Sequence, residues 1–339
     1  MTAVVWAEAG SGAEPGRLRR ARALARALAA RGLRCRFVLP PEAETVAWLA
    51  AAGLPTSIVP PGREPGLRGV LGAATEAIAV VADVARPLQV LEARALRANG
   101  RVLVAVETPG PGAADADLVV APFGEPRGER WLAGPAHAPV ESPLASRRRP
   151  ASGPRPVVLV DLEGPHAEAL LPAVEALARI PGVRAHARVL ADPGGPVWAR
   201  LAGLLGRLDL APARAARPGA LVAHLAAADV AVLGFGPGVH EALAAGVAPL
   251  VLCRRAAEAA ALAPLAARGA LRHLAPGWRA DDVASVLGAL LADWEGRAAM
   301  ARAGWALVDG RGGERVAARL LGLLAGRGLG SADGRVARV

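Results

Sequence analysis

Asp229-Val230-Ala231-Val232-Leu233-Gly234-Phe235-Gly236-Pro237-Gly238-Val239-His240-Glu241-Ala242-Leu243-Ala244-Ala245-Gly246 decides how this chain is read. The apolar run Val230–Leu233 is too short for a helix and unbroken enough for a strand buried on both faces. Glycines 234, 236 and 238 end it, and Val239–Ala245 predicts a helix closed by Gly246. Backbone N–H groups at such a helix start attract an anion, and a diphosphate suits them. Gly236, Gly238 and Val239 are therefore candidate diphosphate contacts. Glu241, read in the first helical turn, either accepts hydrogen bonds from ribose hydroxyls or complements the helix dipole. His240 is adjacent, a structural residue or a ligand contact.

The same alternation extends in both directions. Upstream, Ala3–Trp6, Cys35–Leu39, Thr56–Val59, Ile78–Ala82, Val102–Val106 and Leu118–Ala121 predict strands. Arg17–Arg31 predicts a helix with Leu18, Ala21, Leu24, Ala25 and Leu28 on one stripe, and Gly32 ends it. Pro139 to Pro156 holds five prolines and three consecutive arginines, the best linker in the chain. The pattern restarts with strands at Val157–Leu162, Ala185–Leu190 and Pro249–Leu252, and closes with helices at Glu258–Ala267, Asp281–Trp294, Gly296–Leu307 and Glu314–Ala325. Strands alternating with helices imply parallel sheets covered on both faces. The prediction is α/β: two doubly wound, Rossmann-like domains (1–145 and 156–325) facing across a cleft, a linker at 146–155 and a frayed tail at 326–339.

Composition narrows the chemistry. The 339 residues include no lysine and no tyrosine, one asparagine (Asn99) and one glutamine (Gln89), the imprint of a very GC-rich genome. Without lysine there is no Walker lysine and no Schiff base. Cys35 and Cys253 read as two buried thiols in a reducing cytoplasm, and the six histidines show no metal-ligand spacing. No metal and no cofactor is predicted. The net charge of +10 is all arginine, spread along the helices, and stacking aromatics are scarce, so nucleic acid is an unlikely partner and a small anionic ligand fits as well. Asp229 and Glu241 interrupt the most apolar stretch well short of the roughly 18 residues of a membrane span. A cytoplasmic protein is expected.

Two further loops carry candidates. Gly10–Gly16 follows the first strand, but Pro15 stands where a dinucleotide fingerprint needs its third glycine. Glu14 is the only acid there that could serve as a base, and Arg17 and Arg20 share a helix face that can reach phosphates or sugar, the other arginines being solvated. Glu163-Gly164-Pro165-His166 is a second strand-to-helix loop, which makes Gly164 and His166 candidate nucleotide contacts or, for His166, a cap.

These strings resemble the nucleotide-sugar hydrolases of pseudaminic acid biosynthesis and the related spore-coat polysaccharide proteins, which share the GT-B fold of MurG-type glycosyltransferases. Asp229 to Pro249 matches their strand, glycine loop and helix start, and Leu307-Val308-Asp309-Gly310-Arg311-Gly312-Gly313-Glu314-Arg315-Val316 matches their closing helix. The resemblance implies a UDP-linked sugar as ligand, its base near Leu221, its diphosphate at Gly236–Val239 and its ribose on Glu241. It also implies that the last helix crosses back toward the first domain. The family's loop histidine is Arg17 here, and arginine is no base near neutral pH. Only the aspartate of an Asp-His-Tyr-type turn is kept, as Asp83, and an Ile-Asp-Asp strand end becomes Val106-Glu107-Thr108. Three readings follow. One is a nucleotide-sugar-processing enzyme with altered catalysis through Arg17, Asp83 and Glu107. The second is a GT-B glycosyltransferase. The third is a non-catalytic homologue that binds a nucleotide sugar or a partner enzyme of a glycan pathway.

Overall fold

The computed structural model describes residues 1–8, 14–40, 42–58, 67–141, 144, 156–162, 167–183, 187–191, 197–208, 210, 212–214 and 219–329. Gly164, His166, the linker at 146–155 and the last ten residues lie outside them. The chain divides into two compact units: Met1–Gly10, Arg17–Val140 and Arg311–Val339 in one, Ser11–Gly16 and Glu141–Gly310 in the other.

The first unit is built on β1 (Thr2–Ala7), β2 (Arg34–Leu39), β3 (Thr56–Ile58), β4 (Ala79–Asp83), β5 (Val102–Val106), β6 (Leu118–Ala121) and β7 (Trp131–Ala133), with helices α1 (Pro15–Ala29), α2 (Ala43–Ala50), α3 (Leu67–Ala73), α4 (Val90–Arg97) and the short α5 (Pro111–Ala114). The strands are all parallel in the order β3-β2-β1-β4-β5-β6-β7. β1 shows why both faces are apolar. Ala3, Val5 and Ala7 join one core with Leu18, Leu24 and Leu28 of α1. Val4 and Trp6 join the opposite core with Val70 of α3 and Leu96 of α4. The predicted stripe of α1 is buried throughout. Arg19 departs from its expected solvation: it is buried, as is Arg20, while Arg22 stacks over Trp48 at 4.1 Å.

The second unit holds β8 (Val158–Asp161), β9 (Ala187–Ala191), β10 (Pro212–Arg214), β11 (Val230–Gly234), β12 (Ala248–Leu252) and β13 (Arg272–Leu274). Its helices are α6 (Ala167–Leu177), α7 (Trp198–Leu208), α8 (Ala220–Leu225), α9 (Pro237–Ala245), α10 (Ala256–Ala267), α11 (Ala280–Ala292) and α12 (Trp294–Leu307). This sheet is also parallel, in the order β10-β9-β8-β11-β12-β13. In each sheet the strand order reverses once, between β1 and β4 and between β8 and β11. Diverging crossovers open a crevice at the carboxyl ends of those strands, which is where doubly wound sheets hold ligands.

The second unit closes at Gly310 rather than at 325. The last helix, α13 (Gly312–Gly326), carries Val316, Ala317, Leu320 and Leu324 into the core of the first sheet. An apolar stripe of that length is stable only where it is buried, and the first unit supplies the surface.

Candidate functional site

In the first unit the candidate residues meet at the carboxyl ends of β4 and β5. Asp83 ends β4 and is fully buried. Arg20 grips it with two bonds, Nε to Oδ2 at 2.9 Å and Nη2 to Oδ1 at 2.7 Å. Arg17, one turn earlier on α1, reaches the same Oδ1 at 3.3 Å. Arg20 Nη1 also lies 3.3 Å from Glu107 Oε2, and Glu107 Oε1 accepts the Phe123 N–H at 3.2 Å. Thr108 Oγ1 donates to Ala82 O at 2.9 Å and ties the ends of β5 and β4 together. Two guanidiniums thus meet two carboxylates at the ends of β4 and β5. Asp83 is enclosed, whereas the Glu107 side chain keeps 18% of its exposure. Glu107 also has φ +46°, a left-handed backbone that a branched-free but non-glycine residue adopts only under constraint.

In the second unit the decisive segment folds as a buried strand followed by a helix, with one revision. α9 starts at Pro237, two residues earlier than the periodicity indicates, with Gly236 as its N-cap. Proline suits the first helical position because its fixed φ is already helical and the absent N–H would be unpaired there. The earlier start moves Glu241 into the second turn, beyond the reach of the dipole at the helix end. Glu241 is also 97% buried, so it is not a solvated acid of a helix terminus. Its Oε2 stands 4.0 Å from where a Cβ on Gly238 would lie, and Leu221 Cδ2 of α8 stands 3.2 Å from the same point. Leu221 and Glu241 are therefore both neighbours of Gly238. A carboxylate oxygen of Glu14 approaches Gly236. His240 is buried within α9. The helix is held by its far end: Gly246, at φ +75°, packs against the Trp305 indole, and Gly304 of α12 comes within 3.1 Å of Leu243 O, measured from its would-be Cβ.

A further cluster lies one strand away. β12 pairs β11 in parallel with Leu252 opposite Gly234. Arg254 and Arg255 follow directly, and Glu258, 98% buried, accepts the Arg254 N–H at 2.7 Å, Arg255 Nε at 2.9 Å and Arg254 Nη2 at 3.3 Å. Burial raises the Glu258 carboxyl, but the backbone N–H and the two guanidiniums outweigh it and hold the group below its ordinary value. The available signal was two consecutive arginines at the end of an apolar strand. Burial pushes the thiols the other way, Cys35 up to about 12 and Cys253 up to about 11, the latter with help from Glu258, so neither is a nucleophile near neutral pH. Among the described residues no group of three histidine, cysteine or carboxylate ligands converges, and no helix is long and apolar enough to cross a membrane.

No protein-family model matches this sequence, and no curated protein matches it. Solved structures do. HepE of Anabaena, in complex with UDP and glucose, superposes with a TM-score of 0.65 at 16% identity over 96% of this chain and 100% of its own. MurG of Acinetobacter baumannii gives 0.60 at 18% identity over 94% and 99%. The spinosyn rhamnosyltransferase SpnG, complexed with thymidine diphosphate, gives 0.60 at 19% identity over 96% and 100%. The likeness spans the whole chain and establishes the GT-B fold. It gives no support to the pseudaminic acid hydrolases in particular.

Proposed function

We propose that this protein is a GT-B glycosyltransferase whose donor is a sugar linked to a nucleoside diphosphate, UDP or TDP. The observation that carries the reading is Glu241: a carboxylate buried in the second turn of α9, beside Gly238 and Leu221, at the switch point of the second sheet. Carboxylate oxygens accept hydrogen bonds, and ribose hydroxyls can donate them. The structural neighbours support the transferase reading over the hydrolase one, since SpnG, solved with thymidine diphosphate, is a rhamnosyltransferase.

In a transfer, the acceptor hydroxyl oxygen bonds to the anomeric carbon and the bond from that carbon to the diphosphate breaks. The electron pair leaves with the diphosphate, and the hydroxyl proton passes to a base. In the first unit Glu107 suits that last role better than Asp83, which is enclosed and doubly held by Arg20. Arg17 and Arg20 then act by fixing the two carboxylates. The second reading, binding without catalysis, rests on Asp83 being enclosed and doubly held by Arg20.

Calorimetric titration with UDP, TDP, GDP and CMP tests the proposal. One of the diphosphates binds, and Glu241→Ala weakens it by about 1–3 kcal/mol through the lost ribose bonds. Unchanged affinity in that variant removes Glu241 from the site. Sugar release measured with and without an added acceptor then separates transfer from hydrolysis.

A further inference from the structure

The start of α9 is poorly equipped to hold a diphosphate. Pro237 has no N–H, and the Val239 N–H bonds Gly236 O at 3.1 Å. Of the first turn, Gly238 alone keeps an N–H for a ligand. The helix end adds roughly half a unit of positive charge, less than a diphosphate requires.

The missing charge stands on the next strand. Because Gly234 and Leu252 are paired, the chain leaves β12 at the same sheet edge as the Gly236–Gly238 turn, about one strand spacing of 5 Å to the side. The strand end is pinned by Trp278 Nε1, which donates to Cys253 O at 2.9 Å. Arg254 is half-buried and Arg255 exposed, and each leans on Glu258 through a single guanidinium nitrogen. Their other nitrogens take no partner among the described residues. One carboxylate against two guanidiniums leaves one positive charge in excess at this strand end, while the Glu14 carboxylate lies on the Gly236 side of the turn.

We propose that Arg254 and Arg255 bind the diphosphate of the donor, replacing the charge and the donors that a proline-started helix lacks, with Glu258 as their positioning residue. The proposal rests on the nucleotide reading above.

The test is calorimetry on the full chain with UDP and UMP, or with TDP and TMP if that base is the one bound. Wild type, Arg254→Gln, Arg255→Gln and the double variant are compared, Arg255 being exposed enough for its substitution to spare the fold. The expected result is that wild type favours UDP over UMP by about tenfold or more, and that the double variant brings the two within about twofold while UMP affinity stays put. An unchanged ratio overturns the proposal. Loss of UDP binding in Glu241→Ala with no response to the arginines leaves the nucleotide reading standing and removes this proposal alone. Silence of wild type toward all four nucleotides removes both.

Discussion

Glu107 is the residue at which backbone and chemistry conflict most. Its left-handed backbone costs about 1–2 kcal/mol, and the arrangement survives because β5, Arg20 and the Phe123 N–H hold both ends of the residue. Glu107→Gly therefore relieves strain while giving up two charge-assisted bonds, and its thermal stability should fall only modestly below that of wild type. Transfer should nonetheless drop by about 100-fold or more if the carboxylate is the base. Stability and transfer falling together would make Glu107 a structural residue. Gly238 poses the opposite problem. A Cβ there meets Leu221 Cδ2 at 3.2 Å, so Gly238→Ala displaces Leu221 by a few tenths of an ångström. The expected outcome is weaker UDP binding, seen by titration, with a small change in denaturation midpoint. Unaltered affinity would show that Leu221 lies away from the nucleotide.

At the scale of the element, α9 depends on how it ends. Gly246 has φ +75°, and an added Cβ would sit 2.5 Å from two atoms of the Trp305 indole. Gly246→Ala combines a disfavoured backbone with overpacking and should cost about 2–4 kcal/mol in chemical denaturation. A loss below about 1 kcal/mol would mean that Trp305 swings away freely. The short elements also show where periodicity stops working. α3, α5, β7, β10 and β13 have three to seven residues each and carry little helical or strand period to read, whereas the equally short β3 and β6 are marked by β-branched residues. The stretch 281–307 was legible as helix, but its break falls at Asp293, whose side chain caps α12 by accepting the Gly296 N–H at 2.8 Å. Such a cap needs coordinates to be assigned, since an aspartate inside an apolar-periodic run is common.

For the whole molecule, α13 makes the first unit discontinuous in sequence. Its end is tied down by Arg327, which shares Asp117 with Arg97, while Asp117 Oδ2 also takes the Leu103 N–H at 2.9 Å. Burial raises the Asp117 carboxyl, but the Leu103 N–H, Arg97 and Arg327 outweigh it and leave the group below its ordinary 3.8. A carboxyl depressed on folding adds stability above its unfolded value and loses it as pH falls through the folded value. Asp117→Asn should therefore be about 1–3 kcal/mol less stable than wild type at pH 7, and the gap should close below about pH 4. A gap that persists undiminished to pH 3 would show that the pairing is not electrostatic.

The alternation, the parallel sheets, the two halves and the strand-turn-helix around Gly236–Glu241 are all written in the spacing of apolar residues and glycines along continuous stretches. Arg17, Asp83 and Glu107 could be named one by one, but not joined. Strand order and packing set that Arg20 spends its guanidinium on Asp83, that Glu241 is buried in a second turn, that Leu252 pairs Gly234 and that α13 belongs to the first core. These are facts of strand order and of side chains distant in sequence. A local pattern sets which face of an element is apolar, and only the packed sheet sets what that face, or the loop at its end, will meet.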